Sequence, residues 1–145
     1  MTDENLNSEK KTVIFLCTGN SCRSQIAEAI VNNKMGDIWQ AFSAGTKPTG
    51  YVHPLATHVL LEIGINQTGK SKNISRYINQ DFDLVVTVCE SAQEDCPVWL
   101  RSNPQIHLAF EDPAAFDGDE QARLDKFRQL RDDMTAKIPG LLARY

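Results

Sequence analysis

Val13-Ile14-Phe15-Leu16-Cys17-Thr18-Gly19-Asn20-Ser21-Cys22-Arg23-Ser24 reads as a buried strand, a tight polar loop and the start of a helix. A near-continuous apolar run such as Thr12–Cys17 suits a central strand covered on both faces. Gly19 and Asn20 can take the positive φ that a tight loop needs. A loop of small residues leading into a helix points backbone N–H groups inward, and the helix N-terminus adds partial positive charge. Thr18, Gly19, Asn20, Ser21, Cys22 and Arg23 thus form a candidate oxyanion cradle, with the planar Arg23 fork gripping two oxygens. Cys17 faces the same anion from the strand end, in a positive field that favours a thiolate. The Ser24 hydroxyl can donate to that sulfur. The plain alternative is a core cysteine beside a solvated arginine. The strand–loop–helix setting favours the functional reading.

Outside this stretch the composition bounds the answer. The 145 residues suit one domain, with hydrophobic and charged shares of 41% and 23% that are ordinary for a globular protein. A net charge of −4 argues against nucleic acid or an anionic membrane as the main partner, so an anionic substrate needs a local positive site. No apolar run approaches the roughly 18 residues of a membrane span. Residues 1–11 are polar and read as a flexible extension without a signal-peptide core, leaving 12–145 as a catalytic domain expected in the cytoplasm. In that reducing compartment Cys17, Cys22, Cys89 and Cys96 are better explained by nucleophilic or redox work than by structural disulfides. There is no Cys-x2-Cys pair, and His53, His58 and His107 are scattered, so no metal is expected.

Further strands are expected over Trp39–Ala44, Asp83–Val88 and Gln105–Phe110. Helices are expected over Ser24–Asn33, from Pro54 on a Leu55, Val59 and Ile63 stripe, and from Asp119 to about Ile138, where Pro139-Gly140 ends or kinks the last one. The alternation predicts an α/β three-layer sandwich, a four-stranded parallel sheet with helices on both faces. Ligands bind such sheets at the carboxyl ends of the strands, where Cys17, Cys89 and the loop after Phe110 fall. Asp112-Pro113 lies in that loop, where a plain turn and a stiffly held general acid are both open readings.

Cys17-Thr-Gly-Asn-Ser-Cys-Arg-Ser24 resembles the anion loop shared by low-molecular-weight protein tyrosine phosphatases and thioredoxin-coupled arsenate reductases. The resemblance implies sheet order 2-1-3-4 and makes Asp112 the matching general acid. Val86-Thr-Val-Cys89-Glu-Ser-Ala-Gln-Glu-Asp-Cys96-Pro97 resembles the reductase branch in spacing and flanking residues, as do Ser43-Ala44-Gly45 and Asn66-Gln67-Thr68. Ester hydrolysis needs one cysteine, whereas reducing an oxyanion needs two electrons, which a pair of thiols supplies by becoming a disulfide. Ala114-Ala115 stand where the phosphatase branch carries aromatic residues after its Asp-Pro. Some reductases hold a potassium ion at positions resembling Asn20, Glu28, Ser43 and Thr68. Lys70 stands where an acid would sit, and its cation would compete with the metal.

The resemblance therefore implies a monomeric arsenate reductase serving arsenic detoxification. Arsenate would dock on the cradle, Cys17 would attack, Asp112 would protonate the departing oxygen, and Ser24 would support the thiolate. Cys89 would then form a disulfide with Cys17, Cys96 would resolve it, and thioredoxin would reduce Cys89–Cys96, with no cofactor bound to this chain. For this relay the Glu90–Arg101 segment would move. Cys22 takes a structural or backup role. The alternatives are a phosphatase using Cys17, Arg23 and Asp112, a non-catalytic anion or redox sensor, and a reductase fed by glutaredoxin. Slow phosphate-ester hydrolysis is expected as a side activity.

Overall fold

A computed structural model describes residues 10–67, 69–89, 96–97, 100 and 102–145. The parallel sheet has order β2-β1-β3-β4, as expected. β1 is Lys11–Cys17, β2 Trp39–Gly45, β3 Leu84–Thr87 and β4 Gln105–His107. β1 begins one residue earlier than the expected domain boundary, because Lys11 pairs with Trp39 and its N–H donates to the Ile38 carbonyl. Residues 1–9 of the expected extension lie outside the described residues. β3 and β4 are shorter than expected; after Thr87 the pairing continues only as single bonds, Val88 N–H to Leu16 O and Phe110 N–H to Val88 O.

Val13 through Leu16 are fully buried, as are Leu84 through Val86, which is what continuous apolar runs in central parallel strands require. α1, Arg23–Lys34, covers β1 and β2 with Ile26, Ala27, Ala29, Ile30 and Val31. Each large aliphatic side chain buried there contributes on the order of 2 kcal/mol. α2, Pro54–Glu62, buries Ala56, Val59 and Leu60. The expected Leu55, Val59 and Ile63 stripe is therefore rotated: Ile63 is the C-cap and is exposed.

α3 runs Glu120–Leu142 with Pro139 inside it, so the helix does not end at Pro139. Ile138 and Leu142, one turn apart on the core side, are both buried, and that burial carries the last turn past the missing proline N–H. Asp119 starts the helix by accepting from the Ala122 N–H. Among the described residues no helix is long and apolar enough to cross a membrane.

Glu62 joins α2 to α3. It accepts from Arg128 Nη2 at 2.7 Å and from Arg131 Nη1 at 2.8 Å, while Arg131 Nη1 also reaches the Val59 carbonyl at 3.0 Å. These bonds hold the Glu62 carboxyl down at about 2. A depressed carboxyl adds stability above its unfolded pKa and loses it as pH falls towards the folded one. The pairs are partly exposed, so the effect is modest. Glu62→Gln should lower Tm by a few degrees at pH 7, and the deficit should shrink as melts are repeated from pH 4.5 towards pH 2.

Candidate active site

The loop from Cys17 to Arg23 is held open from outside. The carbonyls of Cys17, Thr18, Gly19 and Ser21 accept from the N–H groups of Thr46, Lys47, Thr49 and His53 at 3.3, 2.9, 3.0 and 3.0 Å. The Asn20 carbonyl accepts from Gln25 Nε2 at 3.2 Å. In a planar trans peptide the N–H of the next residue points opposite to each carbonyl, so the N–H groups of Thr18 through Cys22 face the other side. The Asn20 N–H bears this out by donating to Cys17 Sγ at 3.2 Å. Asn20 takes φ 48°, the left-handed region that asparagine tolerates. Gly45 lets the loop lie this close, because a Cβ there would meet the Thr18 carbonyl oxygen at 2.5 Å.

Cys17 closes β1 and is 2% exposed. Besides the Asn20 N–H, its sulfur has Ser24 Oγ at 2.9 Å. Asn20 Nδ2 donates to that hydroxyl at 2.7 Å, which leaves the Ser24 proton for sulfur. Arg23 Nη1 donates to the Phe110 carbonyl at 3.2 Å and Nη2 lies 3.7 Å from Asp112 Oδ2. Asp112 accepts from the Ala114 N–H at 3.0 Å, so Pro113 and a short turn over Pro113–Ala115 hold its carboxyl over the loop. Cys17, Arg23 and Asp112 line one cavity of about 130 Å³ together with Tyr51 and His53. Burial, reinforced by the positive charge of Arg123, keeps His53 below its usual value. It stays neutral at pH 7, and its Nδ1 caps α2 by accepting from the Leu55 N–H.

Cys89 is 5% exposed and its sulfur lies 3.4 Å from Thr18 Oγ1. A second cavity, about 430 Å³, is lined by Thr18, Arg23, Cys89, Phe110, Glu111 and Asp112 among others. Arg23 and Asp112 border both cavities. Cys96 is buried, and the residues between Cys89 and Cys96 lie outside the described residues, as does Thr68. The expected movement of the Glu90–Arg101 segment therefore falls largely outside them. None of the four cysteines is in a disulfide. Cys22 is pushed up to about 12, chiefly by burial and then by the Asp112 carboxylate.

The chain matches the description of the low molecular weight phosphotyrosine protein phosphatases over residues 12–145. It belongs to that family. Within it, an arsenate reductase of Halalkalibacterium halodurans is 40% identical over 130 residues, 89% of this chain and 93% of the relative. The arsenate reductase of Bacillus subtilis is 38% identical over 131 residues, 90% of this chain and 94% of its own. A solved structure described as an arsenate reductase in the intermediate state superposes with a TM-score of 0.74 at 30% identity, covering 92% of this chain and 98% of that one. A low molecular weight protein tyrosine phosphatase from T. tengcongensis, at 24% identity and a TM-score of 0.78 over 94% and 100% of the two chains, shares the fold.

Sequence reasoning missed part of this family site. Gln25 is 2% exposed and ties Asn20 to the Lys70 carbonyl, and the Phe110 carbonyl fixes Arg23. Neither contact has a local signal in the sequence. The expected competitor for potassium is also corrected. Lys70 contributes its carbonyl, while the ammonium that enters the Glu28 and Ser43 site belongs to Lys72. With a lysine cation already among those oxygens, the described residues of that site do not fit a metal ion.

At pH 8 iodoacetamide should label Cys17 well before Cys22, whose thiol keeps its proton until about pH 12. Saturating phosphate should protect Cys17, both read by peptide mass spectrometry. Equal labelling of the two, or no protection, would contradict this geometry.

Proposed function

We propose that this chain is an arsenate reductase that passes electrons through Cys17, Cys89 and Cys96 to an external dithiol protein of the thioredoxin type. The observation that carries the reading is the second thiol: Cys89 Sγ sits against the anion loop, 3.4 Å from Thr18 Oγ1, on a cavity that Arg23 also lines. Hydrolysis has no use for it. The arsenate reductases among the relatives support the choice of oxyanion.

Arsenate would accept hydrogen bonds from the inward N–H groups and from Arg23. The Cys17 sulfur forms a bond to arsenic(V), and one oxygen departs as water with a proton from Asp112. Cys89 then attacks the Cys17 sulfur as a thiolate. The S–As bond breaks with its electron pair going to arsenic, so arsenite leaves as arsenic(III) and a Cys17–Cys89 disulfide holds the oxidation. Cys96 attacks Cys89 and returns Cys17 as a thiolate, and the external dithiol reduces Cys89–Cys96. Cys89 would reach Cys17 beside Arg23 and Asp112, which line both cavities, with their contact opening for the second step. At 3.7 Å, with Asp112 39% exposed, that contact is loose enough to do so.

Turnover with arsenate, thioredoxin, thioredoxin reductase and NADPH should fall by at least about 10²-fold in each of Cys17→Ser, Cys89→Ser and Cys96→Ser. Cys96→Ser should still release one equivalent of arsenite and stop as the Cys17–Cys89 disulfide, visible by mass spectrometry. Asp112→Asn should lower kcat by about 10²-fold or more, with a much smaller change in KM.

One observation favours a phosphatase as the second reading. Tyr51 lines the Cys17 cavity and is 57% exposed, an aromatic wall where an aryl leaving group would lie. Brisk aryl-phosphate hydrolysis that survives Cys89→Ser and Cys96→Ser, with no arsenate turnover, would select it.

A further inference from the structure

The buried cation beside the nucleophile loop comes from the chain itself. Lys72 Nζ donates to the Lys70 carbonyl at 3.0 Å, lies 3.5 Å from Ser43 Oγ and 3.7 Å from Glu28 Oε1. The Ser43 hydroxyl donates to the same Glu28 oxygen, and Gln67 Nε2 donates to the other at 3.3 Å. The Lys72 and Glu28 side chains are only 13% and 15% exposed. Burial pushes the Glu28 carboxyl up, and the Ser43 bond and the Lys72 charge pull it back. A carboxylate in that position needs a cation, and one ammonium among three oxygen acceptors already supplies it.

The lysine backbone points the other way. Its N–H donates to Asn20 Oδ1 at 2.8 Å, and its carbonyl accepts from the Gly45 N–H at 2.8 Å. Asn20 in turn donates to Cys17 Sγ and to Ser24 Oγ. One residue therefore grips β2 and α1 with its side chain and the nucleophile loop with its peptide. We propose that Lys72 is a positioning residue: its ammonium supplies the cation that Glu28 and Ser43 would otherwise take from solution, and so fixes Asn20 against the Cys17 sulfur. The chain is then indifferent to potassium. The inference rests on Cys17 as nucleophile, which the reductase and phosphatase readings share.

The test reads Cys17 alkylation by iodoacetamide at pH 7, which needs neither arsenate nor an electron donor, so it can fail or succeed apart from the proposed function. Wild-type protein should react at one rate in potassium chloride and in tetramethylammonium chloride of equal ionic strength. Lys72→Ala should react about tenfold more slowly in tetramethylammonium chloride, because donors that stabilise the thiolate drift away. Propylammonium, which replaces the deleted atoms, should restore at least half of the wild-type rate. Alkylation of Lys72→Ala within twofold of wild type would overturn the proposal. So would a slowed rate that no small cation recovers, since that marks packing rather than charge. Should Lys72→Ala fail to fold, Lys72→Gln replaces the ammonium with a neutral group of similar length. A rate within twofold of wild type in that natively folded variant overturns the proposal, and a tenfold loss supports it.

Discussion

Asn20 is the residue on which the site depends. It is completely buried, it holds a left-handed backbone, and it makes hydrogen bonds in four directions. Its N–H reaches Cys17 Sγ, its side-chain NH₂ reaches Ser24, and its side-chain oxygen accepts from Lys72 and Gln25. Left-handed backbone at a non-glycine residue costs of order 1 kcal/mol and persists only where surrounding bonds over-determine it. Here they do, and the strain is spent on aiming one N–H at a sulfur. An unsatisfied amide at this depth would cost a further 1–3 kcal/mol or so, which makes the loop close to all-or-none.

The sheet makes that arrangement possible. β1 and β2 run in register to Cys17 opposite Gly45, so the chain leaving β2 passes beside the chain leaving β1. Residues 46–53 then satisfy the outward carbonyls of Cys17, Thr18, Gly19 and Ser21, while Gln25 takes that of Asn20. Parallel strands end together, and two strand ends releasing loops at one edge let one segment serve as scaffold for its neighbour. Gly45 is the point of closest approach, where any Cβ would strike the Thr18 carbonyl. The nucleophile loop is shaped less by its own sequence than by this neighbour.

That explains what could and could not be read in advance. The strand–loop–helix around Cys17, the parallel sheet and the site edge follow from local pattern, because apolar runs and small-residue loops carry their meaning within a dozen residues. The strand order came from family resemblance. The helix faces were less legible: of the expected Leu55, Val59 and Ile63 stripe only Val59 is buried in α2, with Ala56 and Leu60 beside it. Pro139 was expected to end or kink the last helix, and the burial of Leu142 carries that helix onward, a tertiary override of a local rule. Lys72 was the harder case. Its place beside Glu28 depends on a connector crossing between β2 and α1, and no spacing in the sequence distinguishes it from Lys70.

The distribution of charge follows from the same geometry. The chain carries a net charge of −4, yet the proposed reaction brings an anion to its site. The positive charge is therefore focused rather than spread, by Arg23, by the α1 N-terminus and by peptide N–H groups turned one way. Asp112 sits beside Arg23 without a tight bidentate contact, so the arginine keeps the capacity to grip an oxyanion. Behind the loop, the Lys72 ammonium lies 3.7 Å from Glu28 and offsets its charge. The arginine–acid and lysine–acid pairs are spaced alike, at 3.7 Å, but differ in exposure: the front acid is 39% exposed and open to a ligand, whereas both rear side chains are at most 15% exposed.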